Sequence, residues 1–308
     1  MADVVFAAVP TPFAADGSLD LGCARRLHAF LSARVDGLLV AGTTGEFPAL
    51  TEDERLALID TALDVLGPER IIAHIGAPDA YRAVRLAREA SLLGASRIAA
   101  ITPYYLAASP AEVTEYYLRI REAAPEPGLY AYIFPERTGL TVAPQQFCEL
   151  ADAVGLAGAK FSGVAARNVA ECAAALPGVR IFSGDDSDLA ATLRAGGAGI
   201  ISARTSAFPE VFSGLSAAIA AAGGGAGDGA GGGADRSRER DADRDGEVAA
   251  RQADVTAIAG LGQSIGLVKE ALRVRGFGPM NARMPVAEPD AATAARVAEL
   301  VKSLAPDA

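Results

Sequence analysis

Short, uninterrupted apolar runs alternate along the chain with longer stretches in which apolar residues recur every three or four positions. That alternation predicts parallel strands joined by helices. The strand-like runs are residues 4–9, 37–41, 71–75, 97–101, 128–133, 158–161, 179–183 and 199–202. Eight such runs, each followed by a helical stretch, predict a (β/α)8 barrel rather than an open sheet. Local signals agree with this. Thr51 and Glu54 have the spacing of a capping box, and Leu56, Ile59, Leu63 and Leu66 follow at helical period. The pattern breaks at 223–247, where a Gly/Ala tract runs into an Asp/Arg/Glu-rich segment without apolar period. Such a segment buries too little apolar surface to offset the entropy of ordering it, so a disordered insertion is expected. Beyond it, 248–275 and 291–304 read as helices separated by a Gly- and Pro-containing connection. The predicted organisation is a barrel over 1–222, the insertion at 223–247, and a C-terminal helical appendage over 248–308 packed on the barrel.

Composition narrows the function classes. The 308 residues are 51% hydrophobic and 21% charged, enough for a large core in one barrel domain. No run of about 18 uncharged apolar residues, as a membrane span needs, is present. The start, Met-Ala-Asp-Val-Val, lacks the basic and apolar regions of a signal peptide, so a cytoplasmic protein is expected. A formal charge of -10 argues against nucleic acid as a partner. Cys23, Cys148 and Cys172 are widely spaced, which suggests small buried hydrophobes rather than a disulfide frame or a thiolate site. Two histidines, His28 and His74, are too few and too far apart in sequence for a metal cage, and both read as structural. No metal and no cofactor are expected.

The candidate chemistry starts with Lys160, towards the end of the short apolar run Gly155-Leu-Ala-Gly-Ala-Lys-Phe-Ser-Gly163. A lysine there loses solvation, and desolvation favours the free amine that attacks a carbonyl carbon. An ordinary lysine snorkelling from a strand end gives the same sequence. In a barrel, chemistry sits on the loops after the strands, so the residues following each strand decide between the two. They include Gly42-Thr-Thr-Gly-Glu46, Thr102-Pro-Tyr-Tyr105, Tyr132 and Pro135-Glu-Arg-Thr-Gly139. Taken one at a time, the tyrosines are as well explained by packing, and the glycine-bounded segment by a plain turn. Converging on one barrel mouth, they supply proton relays, an anion clamp at Arg137 and an amine, the inventory of a Schiff-base enzyme acting on a keto acid. A metal-dependent aldolase would need histidines or clustered carboxylates at these positions.

With these motifs the chain resembles the dihydrodipicolinate synthase / N-acetylneuraminate lyase family of pyruvate-dependent class I aldolases. The resemblance covers nearly the whole chain outside the insertion. Its first motif is matched over Gly37-Leu-Leu-Val-Ala-Gly-Thr-Thr-Gly-Glu-Phe47 and on to Glu54; its second is matched at Tyr132, Pro135, Thr138, Val142, Lys160, Phe161 and Ser162. Ile133 and Ala159 depart from the family's small polar and branched residues, though neither side chain performs the chemistry.

The resemblance implies that Lys160 forms an imine with pyruvate or another 2-keto acid, and that the derived enamine meets an aldehyde acceptor. It implies a proton shuttle at Tyr132, linked by Thr44 to Tyr105. Thr43 and Thr44 would hold the pyruvate carboxylate, and the carbonyl of Ile201 would line its pocket. Arg137 matches the arginine that holds the acceptor's carboxylate in the synthases, which favours 4-hydroxy-tetrahydrodipicolinate synthase-like chemistry on aspartate semialdehyde or a related aldehyde. The alternative is an aldolase or dehydratase for 2-keto-3-deoxy sugar acids. A barrel that binds a keto acid without turning it over is the alternative of another class. Pro78, and Phe47-Pro-Ala after the first motif, depart from lysine-regulated synthases and make lysine feedback doubtful. The resemblance also implies a homotetramer built as a dimer of dimers, with Tyr104 or Tyr105 reaching a neighbouring site.

Overall fold

Each of the eight apolar runs forms a strand, and the strands pair in chain order and parallel until the eighth closes on the first. The computed structural model describes residues 4–223, 234–262 and 264–304. The strands are β1 (Val5–Ala8), β2 (Gly37–Val40), β3 (Ile71–His74), β4 (Arg97–Ile101), β5 (Gly128–Ile133), β6 (Gly158–Phe161), β7 (Arg180–Ser183) and β8 (Gly199–Ser202). Helices α1 (Leu21–Ser32), α2 (Glu52–Leu66), α3 (Ala80–Leu92), α4 (Pro110–Ala123), the short α5 (Pro135–Thr138), α6 (Pro144–Val154), α7 (Val169–Ala175), α8 (Leu189–Arg194), the short α9 (Arg204–Ala207) and α10 (Pro209–Gly223) cover the outside. The expected (β/α)8 barrel is therefore present, with α11 (Ala234–Ala259), α12 (Ile265–Val274) and α13 (Ala291–Leu304) as its C-terminal helical appendage. The capping box at Thr51 forms as read: Glu54 N–H donates to the threonine hydroxyl at 3.2 Å and Thr51 N–H to the glutamate at 2.9 Å.

Strands buried on both faces explain the unbroken apolar runs. Outward-facing residues pack under the helices, while Phe6, Leu39, Ile72, Tyr130, Phe182 and Ile201 fill the interior. Phe6 and Phe182 meet edge-on at 5.4 Å. Gly158 is required by this filling, because a Cβ there would sit 2.2 Å from the Tyr130 ring. One layer up, Tyr132 pairs with Lys160, so the tyrosine-filled interior ends where the lysine begins.

Two readings of the C-terminal half change. The segment 223–247 was expected to be disordered. Residues 224–233 lie outside the described residues, but Gly223 ends α10 and helix begins again at Ala234, inside the charged run. The Arg, Glu and Ala of this run are good helix formers and extend the helix backwards from the apolar part that packs on α10, where Val255 and Ile258 are fully buried. The stretch 248–275, expected as one helix, is two. The first ends at Ala259, Gly262 takes a positive φ of 94°, and the second starts at Ile265 with the Ser264 side chain capping it by accepting from Gly266 N–H.

The appendage is fastened by a buried charge network. Glu46 and Lys269, 1% exposed each, form an ion pair, and Lys269 also donates to the Asn281 carbonyl at 2.6 Å. The other Glu46 oxygen accepts the backbone N–H groups of Arg283 and Met284 at 2.9 and 2.7 Å. Arg283 forks onto both oxygens of Glu54 at 2.6 and 2.7 Å. Burial pushes the Lys269 amine down from its ordinary range, and Glu46 pulls it back up. Lys269→Met is expected to destabilise the protein by about 3–5 kcal/mol, because it strands a buried carboxylate. The double variant Glu46→Gln/Lys269→Met should recover part of that loss in urea denaturation, and a double variant no better than the single would contradict a charge origin.

His28 is on the buried face of α1, 1% exposed, with Nδ1 unpartnered. Burial, and secondarily Arg25, lowers its pKa to about 4 from the ordinary 6.5. The unfolded chain therefore takes up this proton first on acidification. Stability is kept above pH 6.5 and falls through the window down to about pH 4, by on the order of 3 kcal/mol. His74 is shifted in the same direction by burial and by Arg55. Denaturation measured across that window should show the slope, and His28→Leu should remove about half of it or more.

Candidate active site

The residues that carry candidate chemistry lie at or after the C-terminal ends of the strands, and all but Tyr105 line a cavity of about 340 Å³. Thr43, Thr44, Tyr132, Arg137, Lys160 and Ile201 all line it. Lys160 is 8% exposed, and its Nζ stands 4.6 Å from the centroid of the Tyr132 ring. The parallel register between β5 and β6 sets Tyr132 directly beside Lys160, and strand alternation turns both inward. Among the described residues Lys160 has no ion-pair partner.

The Thr43 hydroxyl donates to the Tyr132 hydroxyl at 3.3 Å. Expectation had placed Thr44 in that role, linking Tyr132 to Tyr105. Thr44 lines the cavity without a bond to Tyr132, because the turn directs the neighbouring hydroxyl at the phenol. Tyr105 is not brought to the site within this chain. Its backbone takes the left-handed φ of 80°, which turns the loop after β4 outward and leaves the residue 93% exposed. Tyr104 instead packs edge-on against Phe47 at 5.9 Å.

The Gly42–Glu46 turn is held in strain. Ala41 and Glu46, at its two ends, have φ of 55° and 56°, left-handed conformations that cost a non-glycine residue about 1 kcal/mol or more. Three attachments fix it. The Thr11 hydroxyl donates to the Gly45 carbonyl at 2.7 Å, the Ala41 carbonyl lies 3.0 Å from His74 Nδ1, and Glu46 is gripped by the appendage as described above. His74 is thus a buried strut. Its ring lies 4.6 Å from Phe47 and 6.1 Å from Tyr132, and Arg55 donates to its backbone carbonyl at 2.7 Å. Both histidines serve the core, as their sequence settings suggested.

Arg137 stands on α5 at the exposed side of the cavity, its guanidinium 5.4 Å from the Phe134 ring centroid. Among the described residues it has no carboxylate partner, so its charge is available to a ligand. Tyr130 and Phe182 close the floor below Lys160, while Phe134 and Ser162 border it at the level of the amine.

The polar lining residues not singled out from sequence include Asp186 after β7, Ser202 at the end of β8 and Arg204 on α9. The Ser202 hydroxyl donates to one oxygen of Asp186 and Arg204 Nη1 to the other. Burial pushes the Asp186 carboxyl up from the ordinary aspartate range, against the opposing pull of Arg204 and Ser202. Their place after barrel strands was a usable signal, but the pairing of residues 16 and 18 positions apart was not visible in the chain. The apolar side of the cavity, built by α11 and α12, was also missed, because that stretch read as one continuous helix.

Among the described residues no group of three His, Cys, Asp or Glu is placed to hold a metal ion, and no helix is long and apolar enough to cross a membrane.

Comparison with known proteins agrees with this geometry. Residues 1–226 match the Dihydrodipicolinate synthetase family. A 4-hydroxy-tetrahydrodipicolinate synthase of Caldicellulosiruptor bescii is 34% identical over 205 residues, 66% of this chain and 69% of that protein. An uncharacterized DapA-like lyase of Halobacterium salinarum is 34% identical over 212 residues, 68% of this chain and 69% of that protein. YagE, a prophage protein of the dihydrodipicolinic acid synthase family from E. coli K12 whose crystal structure is in complex with pyruvate, is 26% identical; the match covers 98% of each chain at a TM-score of 0.83. The closed barrel and the relatives converge on one conclusion: this chain belongs to the dihydrodipicolinate synthetase family of lyases.

Proposed function

We propose that this protein is a pyruvate-dependent Schiff-base lyase that joins pyruvate to a carboxylate-bearing aldehyde. Aspartate semialdehyde, as in 4-hydroxy-tetrahydrodipicolinate synthesis, is the first acceptor to test. The observation that carries the reading is the placement of an unpaired, buried Lys160 amine beside the Tyr132 phenol, itself bonded to Thr43, in one cavity.

The Lys160 amine attacks the keto carbon of pyruvate, and the oxygen leaves as water to give an imine. Loss of a methyl proton moves the electron pair into an enamine. Its terminal carbon bonds to the aldehyde carbon, the aldehyde oxygen takes a proton, and water hydrolyses the product from the lysine. No metal or cofactor is required by these steps. Tyr132 is the group placed to carry protons to and from the carbinolamine and aldehyde oxygens, with the Thr43 hydroxyl as the next station. The Thr43 and Thr44 turn, with its backbone strained and pinned, offers fixed donors for the pyruvate carboxylate.

Arg137 takes the acceptor's carboxylate, for which a planar guanidinium is suited. Arg137→Ala is expected to raise KM for aspartate semialdehyde about tenfold to a hundredfold, the worth of one charged hydrogen-bonded contact. Pyruvate binding should be unchanged. Turnover of the semialdehyde at the parent rate would remove the arginine from this role.

The homotetramer enters as part of the same proposal. An exposed Tyr105 in left-handed backbone at the rim supports a residue held out for a neighbouring subunit. Pyruvate consumption with aspartate semialdehyde, set against pyruvate release from 2-keto-3-deoxy sugar acids, tests the reaction. Consumption is expected; release alone would transfer the protein to the sugar-acid reading, and neither would favour a keto-acid-binding barrel.

A further inference from the structure

The cavity has two unlike halves. Around Lys160 it carries Thr43, Thr44, Tyr132, Arg137 and Ser162. The other half is walled by Phe208, Ile258, Leu261, Ile265, Leu267 and Val286, contributed by the appendage and the end of the barrel. Among the described residues the polar side chains of this half are Asp186, Ser202, Arg204 and Ser264.

These polar groups are already engaged. Asp186 and Ser202 are 2% exposed each, and both carboxylate oxygens are taken, one by the Ser202 hydroxyl and one by Arg204. Arg204 spends its remaining terminal nitrogen on the carbonyls of Ala259 and Gly262, at 3.4 and 3.1 Å. Its Nε is buried, out of reach of a ligand as well as of a partner. The Ser264 oxygen caps α12. Arg204 therefore does two things at once. It neutralises Asp186, and it pins the α11–α12 connection so that Leu261 and Ile265 face the cavity.

We infer that the acceptor meets this wall with a hydrocarbon body, so that among the aldehydes of the parent reading a bare chain is preferred to one that carries an amine or a row of hydroxyls. This inference rests on the Schiff-base reading and narrows its acceptor. An ammonium group has no free carboxylate to meet there, since Asp186 is occupied. A chain of hydroxyls would lose water against the wall without gaining donors or acceptors, and unpaired polar groups are disfavoured at such a surface. Apolar groups gain by the same burial, and a hydrophobic pocket separates substrates by roughly tenfold or more per methylene-sized difference.

The test uses the full-length protein with pyruvate and two matched pairs of acceptors. One pair is 3-methylbutanal against D-glyceraldehyde. The other is 4-oxobutanoate against aspartate semialdehyde, which differ by the amine alone. The expected result is a kcat/KM at least about tenfold higher for the first member of each pair. Equal or reversed preference in either pair overturns the inference, as does the failure of both apolar members to react. The variant Leu261→Asn, branched at the same carbon but polar, should cut the preference for 3-methylbutanal about tenfold. An unchanged preference counts against the wall. Borohydride trapping of pyruvate alone is run alongside. Trapping with the wrong acceptor preference sinks this inference and spares the parent reading, whereas no trapping sinks both.

Discussion

Replacing Lys160 by alanine is expected to lower turnover by roughly 10⁴- to 10⁶-fold, the order found when a covalent nucleophile is deleted. The fold should survive. Among the described residues the Lys160 side chain holds no ion pair or hydrogen bond, only the face of the Tyr132 ring. A buried amine without a counter-charge is a burden on stability, tolerated at sites where the chemistry needs it. Lys160→Met, which keeps the volume and removes the amine, should therefore be inactive yet melt at or above the parent temperature. Thermal unfolding beside steady-state rates checks both halves. An inactive variant that is also unfolded at room temperature would mean that the lysine is structural, and a stable variant with parent activity would remove it from the reaction.

Tyr132→Phe carries the second large effect. Only the hydroxyl is lost, and the ring keeps its neighbours Phe47, Ile101 and Phe134. The expected change is a fall in kcat of about 10²- to 10⁴-fold, the usual worth of a positioned general acid or base. Imine formation with pyruvate should slow in parallel, since the carbinolamine oxygen needs a proton to leave as water. Thr43→Val should give a smaller loss in the same direction, because it removes the phenol's 3.3 Å partner but leaves the phenol. A Tyr132→Phe enzyme within a fewfold of parent would transfer the proton work to another group.

The barrel was legible because burial on both faces leaves strands with nothing but apolar residues. The eight observed strands fall within the predicted runs, with trimming of one or two residues at β1, β2, β3 and β7. Lys160 and Tyr132 were legible for a related reason: each sits at the C-terminal end of a strand, where parity fixes which side faces inward. Choosing between Thr43 and Thr44 was beyond that reasoning. They are adjacent in an irregular turn between two left-handed residues, Ala41 and Glu46, and strand parity does not apply there. Tyr105 stands outside this chain's cavity for a similar cause, a left-handed residue that turns its loop outward. The Asp186, Ser202 and Arg204 cluster joins residues from different strand ends, and its bonds exist only once the barrel has closed. The α11–α12 wall was hidden by helical periodicity that continues through a glycine-containing break. Glu46 shows the same limit from another side. It lies within the recognised first motif, yet its partners Lys269 and Arg283 come from more than 220 residues later.

The central claim is that Lys160 forms an imine with pyruvate, and borohydride reduction followed by peptide mass mapping reads it directly. Folded protein incubated with pyruvate and then reduced should carry one pyruvate-derived adduct on the peptide containing Lys160, absent without pyruvate and absent in Lys160→Ala. Folded parent protein that stays unmodified, or an adduct on a different lysine, would contradict the account.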